Sequence, residues 1–339
     1  MRILSSELYE AHSQYLAAVR DFFRSRGYLE VETPLMNRQG AVELHLDSLT
    51  VRRRGIRKSP EAPAPPAAGT DSLDADPDLA GYLITSPEYN LKIVLSELQR
   101  SIFQVAHAFR EGDIGQIHSE EFLMLEWYLV GGDEFALMDQ CEEFLHDMCA
   151  RPFSRIGLPE GKQFPRRSVS ELLQTYADCA DFSRPALQQA LDRHGLLNPA
   201  ERDRPDEIPY DDLFFSLFLN RVEEHLGVDG PEFVYDYPPA LAALSRVEDG
   251  RARRFEIYWR RVELANGYFE LSDGIEQRRR FDLDNRNRRQ AGKPEMQPDP
   301  KFLAALDRGL PECSGIALGL DRLFMLLRDA ESLAEVSMY

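Results

Sequence analysis

Apolar residues at Leu8, Tyr15, Leu16, Val19, Phe22 and Phe23 recur along residues 6–26 at the spacing of one buried helical stripe, and Gly27 follows where a left-handed cap belongs. The spacing predicts a helix. The next run, YLEVETPLM, fits a strand, but Pro34 has no N–H for a ladder, so the strand should lie at an edge or end at a boundary. Residues 55–80 carry Pro, Ala, Gly and Asp without periodic apolar positions, the composition of a surface insertion. Beyond it the pattern predicts a short strand near YLIT, a helix over 88–98, a strand over SIFQVAHAF, a polar loop at 111–120 and a strand over FLMLEWYLV that closes an antiparallel hairpin. Helices are expected around 133–149, 168–178 and 211–226. A second hairpin, FEIYW and VELAN, turns at Arg260 and Arg261; a helix over 274–291 and the segment SGIALGLDRLFMLL, a Gly-rich strand end running into a helix, follow. No internal repeat is visible.

The 339 residues suffice for a substantial core, and their 43% hydrophobic content supports one. Cys141, Cys149, Cys179 and Cys313 form no C-x-x-C pair and no zinc-type spacing, so reduced thiols are expected. The N-terminus lacks the apolar core of a secretory signal, and no run of about 18 apolar residues occurs, which predicts a soluble cytoplasmic protein without membrane contact. The net charge of −18 argues against broad contact with nucleic acid, whose affinity rests on phosphate neutralisation. Basic runs at 52–58 and 278–289 read first as solvated faces.

Four places carry chemistry. With the second hairpin turning at Arg260 and Arg261, Trp259 faces Val262, Tyr258 faces Glu263, and Glu256 lies diagonal to Glu263 on one face. Two acids so placed suit Mg²⁺ held partly by phosphates, or are two solvent-facing acids; spacing alone admits both. Glu126 and Tyr128 share a strand face with Phe122 and Met124, so an acid and a phenol project from an apolar surface, toward a ligand ammonium or an internal Arg. Arg110, before the polar loop, is placed to grip a phosphate or simply to face solvent. Gly315 and Gly319 let backbone approach a flat ligand, and Arg322 follows on the first helical turn; a tight strand-to-helix connection would use the same glycines.

In order along the chain, TSPEY (85–89), FR (109–110), EEFLMLEWY (120–128), ELANGYFEL (263–271) and GIALGLDR (315–322) resemble the catalytic domains of lysyl-tRNA synthetases. The helix and strand ending at Pro34 are similar to the dimer-forming first motif of class II synthetases, FR with MLEWY to the second, and GLDR to the third. The resemblance covers nearly the whole chain and implies an α+β fold with a mixed, mainly antiparallel sheet flanked by helices. It also implies one catalytic domain over 1–339. Only a few residues precede the first motif helix, where synthetases carry an anticodon-binding domain, and this organisation, with FVYDYP (233–238) and GIALG (315–319), resembles the stand-alone paralogues that ligate lysine to elongation factor P.

That resemblance implies ATP and Mg²⁺ as cofactors, lysine or beta-lysine as substrate, elongation factor P as acceptor, and a homodimer. By residue, it implies that Arg110 binds the α-phosphate and Arg322 stacks on adenine opposite Phe122, with Glu111, Gly112, Ser119, Leu264 and Gly319 completing the nucleotide set. Glu256 and Glu263 would hold the metal, Glu263 also meeting ATP. Glu88, Glu126, Tyr128 and Glu270 would receive the two ammonium groups, Ser86 and Asn266 would orient the substrate, and Pro87 and Ala317 would line its pocket. Ala317 stands where synthetases usually have Gly, a methyl that suits a shifted amine. The second motif departs from the pattern Arg-x-Glu: the chain reads Arg110, Glu111, Gly112, Asp113, and Ser119 replaces an Asn. Two other functions are open at this point, a synthetase charging tRNA and a noncatalytic paralogue that binds lysine or a partner.

Overall fold

The computed structural model of the chain describes residues 4–44, 46–54, 78–159, 161 and 163–337. In chain order the elements are α1 (Ser6–Ser25), β1 (Leu29–Glu30), β2 (Met36–Asn37), β3 (Thr50–Arg52), β4 (Leu79–Leu83), α2 (Glu88–Leu98), β5 (Ile102–Phe109), β6 (Glu121–Val130), α3 (Glu134–Cys149), β7 (Arg166–Ser168), α4 (Val169–Ala177) and α5 (Arg184–Arg193). They continue as α6 (Pro199–Asp203), α7 (Tyr210–Arg221), β8 (Glu232–Tyr237), β9 (Val247–Glu248), β10 (Arg251–Trp259), β11 (Val262–Phe269), α8 (Gly274–Gln290), α9 (Pro300–Arg308), β12 (Cys313–Gly319) and α10 (Leu320–Leu327). The class is α+β, as expected. Two compact units share the chain: Met1–Trp127 with Ser272–Pro311 and Gly319–Tyr339, and Tyr128–Leu271 with Glu312–Leu318.

In the first unit, α1 starts where the Ser5 side chain accepts the Leu8 N–H, and Gly27 follows its end at φ +80°. Its stripe buries Tyr15, Val19, Phe22 and Phe23, with Phe23 stacked 4.9 Å from Phe103 and tilted 5.0 Å from Trp127. The strand expected over YLEVETPLM is two short ones. Leu29 and Glu30 pair in parallel with Ile102 and Phe103 of β5, whereas Met36 and Asn37 pair with Leu83 and Tyr82 of β4 in a separate three-stranded sheet, β2–β4–β3. Pro34, which cannot donate, stands between them. The insertion expected at 55–80 lies, up to residue 77, outside the described residues, and Leu79 already begins β4. Helix α2 spans the expected 88–98, and β5 and β6 are neighbours whose connecting loop closes on an Arg110 N–H to Glu120 carbonyl bond of 2.9 Å. The basic run on α8 is largely neutralised locally: Arg278 pairs with Asp307, Arg279 and Arg280 with Glu276, and Arg289 with Glu295.

The second unit is built on the order β12–β11–β10–β8–β7, antiparallel except for β7 with β8. Helices α4, α5 and α7 bury Leu172, Leu173, Leu191, Phe214 and Leu217 with Val234, Tyr237 and Tyr258 of the sheet. The turn sits at Arg260 and Arg261, both left-handed at φ 52° and 64°, the type I′ geometry that matches strand twist. Neither residue favours it. Backbone donation from Arg260 to Gly227 (2.7 Å) and from Arg261 to Leu226 (3.1 Å) offsets the strain. Trp259 faces Val262 and Tyr258 faces Glu263, as the spacing predicts, but a bulge then pairs Ile257 with Ala265 and Glu256 with Asn266. Asn266 thereby joins the face of Glu256.

At Gly227 the neighbouring backbone leaves no space for a side chain. At φ +62°, a Cβ there would stand 2.6 Å from the Tyr258 carbonyl carbon and oxygen. We predict that Gly227→Ala lowers stability by about 2–4 kcal/mol, combining left-handed strain with backbone overlap. Gly250→Ala, at φ +72° with nothing within 4 Å, should lose only the strain, about 1–2 kcal/mol. Chemical denaturation of both variants checks this; equal losses would show that the close approach does not matter.

Candidate active site

In the first unit, residues 85–89 turn into α2 so that Ser86 Oγ accepts the Glu88 N–H at 3.0 Å and donates to Glu126 Oε2 at 3.1 Å. One hydroxyl thus couples two of the expected acids. Pro87 is the N-cap residue, and Glu88 Oε1 meets Lys92 Nζ at 2.6 Å, one turn along the helix. Lys92 is 1% exposed. The sequence reading missed it, although its i,i+4 spacing from Glu88 was there to be seen.

The loop after Arg110 is closed by a second residue that reading passed over. Glu120 Oε1 accepts the Gly112 N–H at 2.9 Å, and Gly112 lies at φ +77°. A Glu at 112 would have to adopt that left-handed backbone, which gives the departure from Arg-x-Glu a local cause. Glu111 donates its N–H to the Asp47 carbonyl at 2.9 Å, and Ser119 is half-buried on the returning limb. The Arg110 guanidinium lies 5.1 Å from the centre of the Phe122 ring, while Arg322 Nε donates to the Ile117 carbonyl at 3.1 Å. Arg110 thus covers the ring face expected to meet adenine.

Gly319 is the N-cap residue of α10, whose first turn braces that loop twice: through Arg322, and through Asp321 Oδ2, which accepts the Leu123 N–H at 2.7 Å. Burial pushes the Asp321 carboxyl up to about 6, with Glu121 adding to the rise and the Leu123 bond and His107 opposing it.

In the second unit, Glu256 is 5% exposed, and its carboxylate collects four side chains. Oε2 accepts from Tyr237 at 2.5 Å and Tyr258 at 2.8 Å; Oε1 accepts from Arg254 at 2.5 Å and Asn266 at 3.4 Å. Arg254 also donates to Asn266 Oδ1 and to the Leu241 carbonyl. Burial, and then the Glu256 charge, raise both phenols well above their usual range, so each remains a donor. Glu263 stands half-buried on the same face, opposite Tyr258. The bulge turns the Leu264 side chain into the core at 2% exposure, so any contact it makes with a nucleotide is through backbone.

Across β11 and β12, Asn266 pairs with Ala317 and Tyr268 with Gly315, which places both β12 residues on the Glu256 face. A Cβ on Gly315 would come within 2.4 Å of Glu270 Oε1 and 2.5 Å of the Tyr128 ring. Glu270 and Tyr128 are buried at 2% and 1% exposure. The structure therefore gathers Tyr128, Glu256, Glu263, Asn266, Glu270 and Ala317 on one sheet surface of the second unit. In the first unit it gathers Ser86, Glu88 and Glu126, and separately Arg110, Phe122 and Arg322 around one loop. Among the described residues, no three His, Cys, Asp or Glu side chains form a metal cage, and no helix is long and apolar enough to cross a membrane.

A sequence model of the family described as tRNA synthetases class II (D, K and N) matches residues 4–339. Proteins named elongation factor P (R)-beta-lysine ligase are similar throughout. That of Yersinia enterocolitica is 37% identical over 95% of this chain and 91% of its own; that of Proteus mirabilis is 36% identical over 96% and 92%. That of Hamiltonella defensa is 36% identical over 94% and 90%.

The Asp321 geometry makes a signed prediction. A carboxyl whose folded value, about 6, exceeds its unfolded value of about 3.9 binds its proton more tightly when folded, so stability is lost as pH rises from about 4 to above 6. Asp321→Asn keeps an acceptor for Leu123. The variant should be more stable than the parent at pH 8 by about 1–3 kcal/mol, with the advantage gone near pH 4. Denaturation at several pH values measures it, and a pH-independent difference would contradict the burial argument.

Proposed function

This chain belongs to the class II tRNA synthetases (D, K and N), and from that premise we propose that it is an ATP-dependent ligase which activates lysine or beta-lysine as an acyl-adenylate and transfers it to a lysine side chain of elongation factor P. The observation that supports the reading is the packing at Gly315, where only the absence of a side chain lets a buried acid, Glu270, and a buried phenol, Tyr128, lie against the β12 backbone. Such an acid and phenol receive an ammonium group. Glu88 and Glu126, coupled through Ser86, supply acids for a second one. The relatives' ligase name over about 95% of the chain agrees with this chemistry.

In the first step the substrate carboxylate attacks the α-phosphorus of ATP, a mixed anhydride forms and pyrophosphate leaves. In the second the acceptor amine attacks the carbonyl carbon and AMP leaves. No covalent bond to the protein is needed. Arg110 neutralises charge on the α-phosphate; Phe122 and Arg322 take the two faces of adenine, which requires Arg110 to leave the ring it rests on; Glu111, Gly112, Ser119, Gly319 and the Leu264 backbone complete the nucleotide set. Asn266, Pro87 and Ala317 shape the substrate's place.

The donor set fits Mg²⁺ carried on phosphate oxygens, which asks for one or two carboxylates. Glu263 is the carboxylate that would meet it. Glu256 holds Arg254, Tyr237 and Tyr258, and its most easily surrendered bond is the 3.4 Å one to Asn266. The cation, when bound, supplies charge neutralisation at the phosphates. We take the two units as one catalytic domain, because the chain passes between them four times, at 127–128, 271–272, 311–312 and 318–319. We also propose a homodimer formed through the first motif, where Leu35 and Met36 are 39% and 45% exposed.

Pyrophosphate exchange into ATP, assayed with each lysine isomer, tests the first step. Exchange should depend on a lysine isomer and be lost in Glu263→Gln. Gly315→Ala, whose Cβ would overlap Glu270 and the Tyr128 ring, should displace both groups, lower stability by about 1–3 kcal/mol and raise KM more than about tenfold in the fraction that folds. Exchange with no isomer would favour a noncatalytic paralogue, and acylation of tRNA in place of elongation factor P would overturn the second step.

A further inference from the structure

Residues 41–44 and 46–48, between β2 and β3, include none of the expected site residues, yet the first unit holds them from three sides. Arg288, 1% exposed, donates to the Glu43 carbonyl at 2.9 Å and to Asp47 at 3.3 Å, and Lys293 donates to the Leu44 carbonyl and to Asp47 at 2.9 and 2.7 Å. Ser48 Oγ accepts the Ala41 N–H at 3.1 Å. The Asp47 carbonyl takes the N–H of Glu111, the residue after Arg110. At the other end, Glu43 Oε1 accepts the Tyr89 hydroxyl at 2.8 Å, and Tyr89, the residue after Glu88, is itself fixed by stacking 4.8 Å from Phe302.

The Glu43 carboxyl is therefore tied to the Glu88 end of the site, and its strap to the Arg110 end. Its electrostatics agree. Burial raises its proton affinity and the Glu88 charge adds to the rise, while the Tyr89 bond and the Arg110 charge oppose it, so both Glu88 and Arg110 act on it. Lys92 faces Glu88, and Asp284 acts on Tyr89.

Lysine and beta-lysine share a carboxylate and a terminal ammonium, and differ in which carbon near the carboxylate carries the second amine. Resting on the ligase reading above, in which Arg110 takes the reacting end, we propose that Glu43 joins Glu88 in receiving this second amine and is the specificity-determining residue that sets the choice between the isomers. On the same reading Glu270, beside Gly315, takes the terminal ammonium that the isomers share, which makes it the comparison.

The test measures kcat/KM in pyrophosphate exchange for α-lysine and both enantiomers of beta-lysine, in the parent protein, Glu43→Gln and Glu43→Asp, with Glu270→Gln for comparison and a thermal melt of each. Glu43→Gln keeps an acceptor for Tyr89 and removes the charge. The ratio between preferred and disfavoured isomers should fall by about tenfold or more in Glu43→Gln, through KM more than kcat. In Glu270→Gln all isomers should weaken together with the ratio kept. A folded Glu43→Gln whose ratio stays within about twofold of the parent overturns the inference and leaves the ligase reading standing; a parent protein that exchanges with no isomer overturns both. If Glu43→Gln does not fold, Glu43→Asp decides by the same ratio, its shorter reach predicting a partial fall.

Discussion

Glu256 is a carboxylate removed from water at the middle of a sheet, and it must be satisfied where it stands. Donors from three strands do so: Tyr237 on β8, Arg254 and Tyr258 on β10, and Asn266 on β11. Moving any of these strands by one residue would turn its donor to the opposite face. The bulge at Leu264 belongs to the same constraint, since only the extra residue lets Glu263 and Asn266, three positions apart, share one surface. Arg254 is held charged at that spot: burial works against it, and the nearby carboxylates, Glu256 first and then Glu263, outweigh that effect. A rigid polar floor results, and on it Ala317 and Gly315 present backbone instead of bulk.

The loop after Arg110 is ordered by a parallel device. Its two limbs are joined by Glu120 to Gly112, and the first turn of α10 fastens Leu123 through Asp321 and Ile117 through Arg322. Asp321 remains buried although the burial disfavours its charge, so the turn holds its geometry at a cost in stability. Reaction at phosphorus gains most from positioning, and a loop fixed at both limbs provides it.

Much of this was legible from pattern. The stripe of α1, the extent of α2, and the pairing of Tyr258 with Glu263 follow from periodicity and turn placement, because each is decided by near neighbours in sequence. What the pattern hid depends on distant partners. Pro34 signalled a strand end, but not that the residues beyond it would join a second sheet with β4. Edge strand β7 owes its place to pairing with β8, whereas helix α5 was overlooked although Leu187, Ala190 and Leu191 stand at helical spacing after Ser183 and Pro185. Motif residues such as Glu88 and Glu270 were found through resemblance, whereas Glu43, Lys92 and Glu120 were not, since an isolated acid or lysine in a sequence gives no sign of what it will face. Gly112 was visible as a departure, but its cause was not, until the loop showed a left-handed residue bonded to Glu120.

The most direct test of the account is the intact mass of elongation factor P after incubation with this protein, ATP, Mg²⁺ and beta-lysine. The account predicts an increment of one lysyl residue on a single acceptor lysine side chain, absent without ATP. An unmodified factor, under conditions where the protein still forms the adenylate, would contradict it.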